Sequence, residues 1–130
     1  MKKLFLLPLT LLAILTLVVV SCEEKKNDDV CLAFEEITAI NPSCEIPSVC
    51  CPVEVGNCYY VAPNGDEYKC DATLNSTENP DGCNDAMNEY IENHCETTKM
   101  DKATHNKLVL ALSKFTQQML IKARNYSVCY

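Results

Sequence analysis

Nine cysteines lie between residues 31 and 129, and eight of them crowd into residues 31–95: Cys31, Cys44, Cys50, Cys51, Cys58, Cys70, Cys83 and Cys95. A segment of about 100 residues builds only a modest apolar core, and in an oxidising compartment such a density of thiols reads as a disulfide framework. Nine is odd, so four bridges leave one thiol over, and eight cysteines alone permit on the order of a hundred connectivities. Cys50 and Cys51 are neighbours about 3.8 Å apart at Cα, below the usual span of a bridge, so each is expected to pair elsewhere, a vicinal ring being the alternative. Cys129 stands alone near the last residue. It is expected either as a free thiol or as a link between two copies of the chain. The competing arrangement ties Cys129 back to the cysteine-rich part and leaves Cys50 or Cys51 unpaired.

The thiols do not fit metal or redox chemistry. Zinc knuckles need ligand pairs a few residues apart, and thioredoxin-like centres need Cys-x-x-Cys; neither spacing occurs. His94 beside Cys95, with His105 beyond, reads as a scattered pair of surface histidines. Thr77 to Asn88 places Asn79, Asp81, Gly82 and Asp85 as in a calcium loop, but Thr77 and Asn88 stand where carboxylates must anchor the ion, so a turn is expected. With only Gly56, Gly65 and Gly82 there is no phosphate-cradling loop, no dinucleotide fingerprint and no nucleophile elbow. No metal, no cofactor and no catalytic residue are expected.

What sets the compartment is the N-terminal run. Met1-Lys2-Lys3 precedes Leu4 to Val20, seventeen residues without a charge, which has the form of a secretory signal and falls just short of a bilayer span. Val19-Val20-Ser21-Cys22 then resembles the lipobox of bacterial lipoproteins, Val19 standing where Leu is commoner. The resemblance covers residues 1–22 and implies a diacylglyceryl thioether on Cys22, cleavage after Ser21, acylation of the new amino terminus and anchorage in the outer membrane. Glu23-Glu24-Lys25-Lys26-Asn27-Asp28-Asp29 holds no apolar residue and is expected to be a solvated tether. Its acids also resemble a signal that carries some lipoproteins to the cell surface, although two lysines interrupt them; an ordinary linker is the other reading.

Along the remaining chain, Val30, Ala33, Phe34, Ile37 and Ile40 recur at helical spacing after Asn27 and Asp28, which predicts a short N-terminal helix ending before Asn41-Pro42. Residues 41–57 carry Pro42, Pro47 and Pro52 with three cysteines and read as an irregular, bridge-pinned loop. Two aromatic and β-branched runs around Pro63-Asn64-Gly65 predict a hairpin with a type I turn and a G1 bulge. That register sets Ala62 opposite Asp66 and Cys58 opposite Cys70. Tyr59, Tyr60 and Tyr68 on this hairpin are candidates for a peptide, glycan or small-molecule platform, cross-strand packing being the plainer role.

Asn79-Pro80 predicts a helix over residues 80–95 with Cys83, Met87, Tyr90, Ile91 and His94 on one face. Cys83 and Cys95 then lie about 18 Å apart, so each must staple the helix to a different part of the loop region or hairpin. The longest helix is expected from Thr98, paired with Asp101 in a capping box, to about Tyr126. Its core stripe is Leu108, Ala111, Leu112, Phe115, Met119, Ala123 and Tyr126. Leu110 and Ile121 fall on nearly the opposite side, at about 200° and 220° from Leu108, which calls for a second layer or a partner, a second copy included.

Charge divides unevenly: residues 22–98 hold 3 Lys against 17 Asp+Glu, whereas residues 99–130 hold 5 Lys and 1 Arg against 1 Asp. The basic helix is expected to lie across the acidic part, the alternative being contact with phosphate-bearing lipid; nucleic acid is disfavoured by the acidic total. The sequence thus predicts a signal over residues 1–21, a tether over 22–29 and one small disulfide-rich α+β domain over 30–130. Its elements are a short N-terminal helix, a β-hairpin and two helices. Functionally it predicts a lipid-anchored, non-enzymatic interaction or structural module in the envelope, with a protein or glycan as partner.

Overall fold

A computed structural model describes residues 29–126. Four strands, β1 (Val30–Ala33), β2 (Ser48–Cys51), β3 (Tyr59–Val61) and β4 (Glu67–Lys69), form one antiparallel sheet in chain order. Three helices accompany it: one turn of α1 (Ile37–Ile40), α2 (Asn84–His94) and the long α3 (Lys102–Tyr126). Both long helices lie on the same side of the sheet, α3 against β1 and β2, α2 against β3 and β4. The fold is therefore a two-layer α+β structure.

The hairpin forms as its turn chemistry dictates. Gly65 N–H donates to the Ala62 carbonyl, and Gly65 takes φ +94°, the left-handed conformation that closes a type I turn with a G1 bulge. Tyr60 consequently opposes Tyr68, and Cys70 N–H donates to the Cys58 carbonyl, the expected register.

The N-terminal helix expected from Val30 is not there. Val30–Ala33 is instead an edge strand paired with β2, Cys31 opposite Cys50, and Phe34 N–H extends the pairing to the Pro47 carbonyl. Only Ile37–Ile40 is helical, and it stops at Asn41 because the following Pro42 disfavours helical backbone before it. The apolar spacing fits a helix because Phe34 and Ile37 both enter the core, yet the strand is set by its partner. That partner corrects a second expectation: the segment read as an irregular loop contains β2, an interior strand bounded by Pro47 and Pro52, which lie just outside the ladder and interrupt none of its bonds.

Two helix starts also move. α2 begins at Asn84, not at Pro80, because Gly82 adopts φ +67° and its carbonyl accepts from Asp71 N–H at 2.9 Å. A side chain there would collide with the Asp71 backbone. Asn79 still serves the helix from further upstream, its Oδ1 accepting from Asn84 N–H. α3 begins after Asp101, whose Oδ1 accepts from Thr104 N–H at 2.8 Å, while Thr98 lies in a preceding turn. The Thr104 hydroxyl and N–H together hold the Asp101 carboxyl below its usual range.

Alternation divides the sheet. Val49, Cys51, Tyr60 and Tyr68 face the helices and are buried, meeting Met87, Tyr90 and Ile91 of α2 and Leu108, Leu112, Thr116, Met119 and Ala123 of α3. Phe34 packs on Phe115 with ring centroids 4.9 Å apart. Leu110 and Ile121 stay exposed, as their angle on the helix requires. Tyr126, expected on the core stripe, is 65% exposed, because the core ends at Ala123.

Candidate functional site

Four bridges join the eight cysteines of residues 31–95: Cys31–Cys50, Cys44–Cys95, Cys51–Cys58 and Cys70–Cys83. Cys50 and Cys51 pair elsewhere, on opposite faces of β2, as adjacency demands. Cys83 and Cys95 flank α2, one tied to the end of β4 and the other to the loop after α1. Cys22 and Cys129 lie outside the described residues, as does the rest of the signal and of the tether up to Asp28. With Cys50 and Cys51 both bridged, the arrangement that left one of them unpaired does not hold.

The densest polar chemistry sits where Cys44–Cys95 joins loop to helix. Ser43–Glu45 runs against His94–Glu96 residue for residue: Ser43 Oγ accepts from Glu96 N–H, Cys44 bridges Cys95, and Glu45 N–H donates to the His94 carbonyl. Glu45 Oε2 lies 2.7 Å from His94 Nδ1, and His94 Nε2 lies 2.9 Å from the Tyr68 hydroxyl. A carboxylate only accepts, so Nδ1 donates to Glu45, and in the neutral ring Nε2 accepts from Tyr68. Tyr90 closes the cluster: its hydroxyl donates to the Glu45 carbonyl at 2.9 Å, and its ring stacks on His94 at 4.7 Å. Burial pushes the Tyr90 phenol up, with the Glu45 charge adding to it.

Carboxylate, imidazole and hydroxyl in a row form the pattern of a catalytic relay, so reach decides. Tyr68 is only 8% exposed and its ring meets Tyr90 edge-on. Two shallow grooves lie elsewhere, one along Gln118, Ile121, Lys122, Asn125 and Tyr126 and one beside Asp29 and Pro52–Val55. As placed, Tyr68, His94, Glu45 and Tyr90 form a clasp, each bonded to another member, that fastens the loop after α1 to the end of α2. His94 is thus not a surface histidine but a buried one. The signal was present, since it completes the stripe of Cys83, Met87, Tyr90 and Ile91. Among the described residues no group of three His, Cys, Asp or Glu side chains is placed to hold a metal.

The three hairpin tyrosines do not form a platform. Tyr60 is fully buried and bonded to Thr116 at 2.8 Å, Tyr68 belongs to the clasp, and only Tyr59 lies on the outer face. The Tyr59 hydroxyl donates to Asp29 Oδ2 at 2.6 Å, a bond that, with partial burial and the Asp29 charge, pushes its phenol up to about 12. Strand alternation separates Tyr59 from the other two, and cross-strand packing is their role.

A feature that sequence reasoning missed is the Arg124 clamp. The Cys51–Cys58 bridge closes the loop of Pro52 to Asn57, and the Arg124 guanidinium donates to the carbonyls of Pro52, Glu54 and Gly56. Val55 at the tip of this loop is 92% exposed. Only the forked geometry of arginine serves several carbonyls at once, but nothing local in the sequence links residue 124 to residues 52–56. The basic helix lies across the strands, α3 packing against β1 and β2; among the described residues the carboxylate pairs are Glu67 with Lys69 and Glu45 with His94, neither involving a lysine of α3.

Among the described residues no helix is long and apolar enough to cross a membrane. The chain matches no family model, no curated protein and no solved structure.

Proposed function

We propose that this chain is a lipid-anchored protein of the bacterial outer membrane whose domain is a disulfide-fastened, non-enzymatic interaction or structural module. The observation that carries the reading is Val19-Val20-Ser21-Cys22 after a basic start and seventeen uncharged residues, followed by a polar tether. Two or three acyl chains on Cys22 make a stable anchor, whereas a single chain binds only marginally. Four bridges support the extracytoplasmic setting, because such density persists only where thiols are not kept reduced. The closed clasp of Glu45, His94, Tyr68 and Tyr90 supports the non-enzymatic part, since its hydroxyl is turned inward.

The test is expression of the full chain in a Gram-negative host, with mass spectrometry of the N-terminal peptide and fractionation of membranes. Processing before an acylated Cys22 is expected, and Cys22→Ser is expected to accumulate uncleaved precursor. A Cys22→Ser chain that is cleaved and held in the membrane like the parent would overturn the reading. Protease treatment of intact cells separates the two faces of the membrane: digestion places the domain outside, protection places it in the periplasm.

A further inference from the structure

The solvent face of α3 pairs two isolated aliphatic side chains with lysines. Leu110 and Ile121 are 71% and 62% exposed and eleven residues apart, which on a helix is about three turns, a separation of about 16 Å along the axis with only about 20° of rotation. Lys114 and Lys107 lie about 40° and 60° from Leu110 on the same side of the strip. None of these lysines meets a carboxylate among the described residues. Aliphatic anchors bordered by unpaired ammonium groups are the pattern of a helix that lies in the plane of an anionic bilayer surface.

The position of the tether selects the occupant. The described chain begins at Asp29, which shares a shallow cleft with Pro52, Val53, Glu54 and Val55. That same loop is gripped by Arg124 in the last turns of α3. Asp29, seven residues after Cys22, therefore lies near the loop that the C-terminal half of α3 grips. The eight residues from Cys22 to Asp29 reach at most about 27 Å fully extended. A domain held that close meets the bilayer at an effective concentration in the millimolar range, so a weak contact suffices. The sign of the charge agrees: residues 99–130 are net +5 and residues 22–98 net −14, so presenting α3 turns the acidic part of the chain away from lipid phosphate.

We infer that the outer face of α3, through Leu110, Ile121, Lys107 and Lys114, docks on the anionic phospholipid surface of the membrane that holds the Cys22 anchor. The inference deepens the proposed function and rests on it. Docking fixes the orientation of the domain and leaves the outer face of the sheet, with the Cys31–Cys50 bridge and Tyr59, open to the aqueous side.

The chain has no tryptophan, so Leu110→Trp and Ile121→Trp each install a single reporter at an exposed position, with Leu74→Trp as a control on a distant turn. Each full-length, processed variant is reconstituted in vesicles of phosphatidylcholine alone or with equal phosphatidylglycerol, the acyl chains brominated. Circular dichroism and melting verify that each variant folds like the parent. Expected are a blue shift and bromine quenching at positions 110 and 121, not 74, in anionic vesicles only. Lys107→Glu and Lys114→Glu should each lower the docked-to-undocked ratio at least about fivefold.

An acylated chain whose Trp at 110 and 121 stays unquenched overturns the docking and leaves the anchor standing. A Cys22 peptide without lipid removes the tether and the inference with it, and mass spectrometry tells these failures apart. Equal quenching in phosphatidylcholine overturns the role of charge that selects this occupant. A blue shift without vesicles, accompanied by the sedimentation mass of two chains, assigns the face to a second copy and likewise overturns the proposal.

Discussion

Thr116→Val in the middle of α3 isolates one buried hydrogen bond whose direction the structure determines. Thr116 Oγ1 donates to the Leu112 carbonyl at 2.7 Å, which uses its only proton. The 2.8 Å contact with Tyr60 therefore runs from the phenol to the threonine. Tyr60→Phe removes the donor while Thr116 keeps its bond to Leu112, a loss of about 1 kcal/mol. Thr116→Val removes the acceptor and leaves a phenolic proton unpaired in a site with no solvent exposure, a loss of about 2 kcal/mol or more. In the double variant no donor is orphaned, so its cost falls back to about that of Tyr60→Phe, a coupling of about 2 kcal/mol. Urea unfolding followed by circular dichroism resolves this; for a domain of this size 1 kcal/mol also moves Tm by about 4–8 °C. Additive costs, or a Thr116→Val variant no less stable than Tyr60→Phe, would refute the assigned direction.

Replacing Cys44 and Cys95 together by alanine opens the longest closed loop, 51 residues, and should cost about 4 kcal/mol on the chain-entropy account; equilibrium unfolding checks it, and a loss below about 1 kcal/mol would contradict it. Burial raises the Tyr60 and Tyr90 phenols above their ordinary value near 10, so the unfolded chain releases these protons first. Stability should be full below pH 10 and decline above it, by at most about 1.4 kcal/mol per pH unit for each of these two buried phenols. Denaturant titrations at pH 8 and pH 11 read this slope, and Tyr60→Phe should flatten it; an unchanged slope would remove Tyr60 from the account. Arg124→Ala should speed amide exchange in residues 53–57 without changing the rest of the sheet, and Arg124→Lys should not rescue it, because a single ammonium cannot serve three carbonyls. Hydrogen-exchange mass spectrometry gives the answer, and protection equal to the parent in either variant would rule out the clamp.

Where information is local, the sequence carries it. Pro63-Asn64-Gly65 specifies turn and register within four residues, and the adjacency of Cys50 and Cys51 forbids their mutual bridge by distance alone. The stripe on α2 includes His94 by spacing, although the lone-residue view placed that histidine on the surface. What fails is non-local. β1 exists because β2 lies beside it, and β2 is hidden by prolines that flank a strand as readily as they fill a loop. Register sets Cys58 opposite Cys70, yet no disulfide joins them: Cys58 bridges to Cys51 across β2 and β3, Cys70 to Cys83 before α2. The clasp depends on Glu45 meeting a residue 49 positions away, and the Arg124 clamp spans about 70; no pattern within a window contains either pair.

Cys31 is the second residue of β1, and its bridge reaches Cys50, the peptide neighbour of Cys51, which in turn bridges Cys58. A pull applied through the N-terminal segment thus meets a continuous covalent path across β1, β2 and the start of β3 before it has parted more than one residue of the edge strand. Antiparallel strands loaded at one end ordinarily unzip a rung at a time under small force. Here the first rungs are bonds of sulfur, so tension entering through the N-terminal end of β1 is carried past the sheet without opening it, and the domain moves as a rigid load.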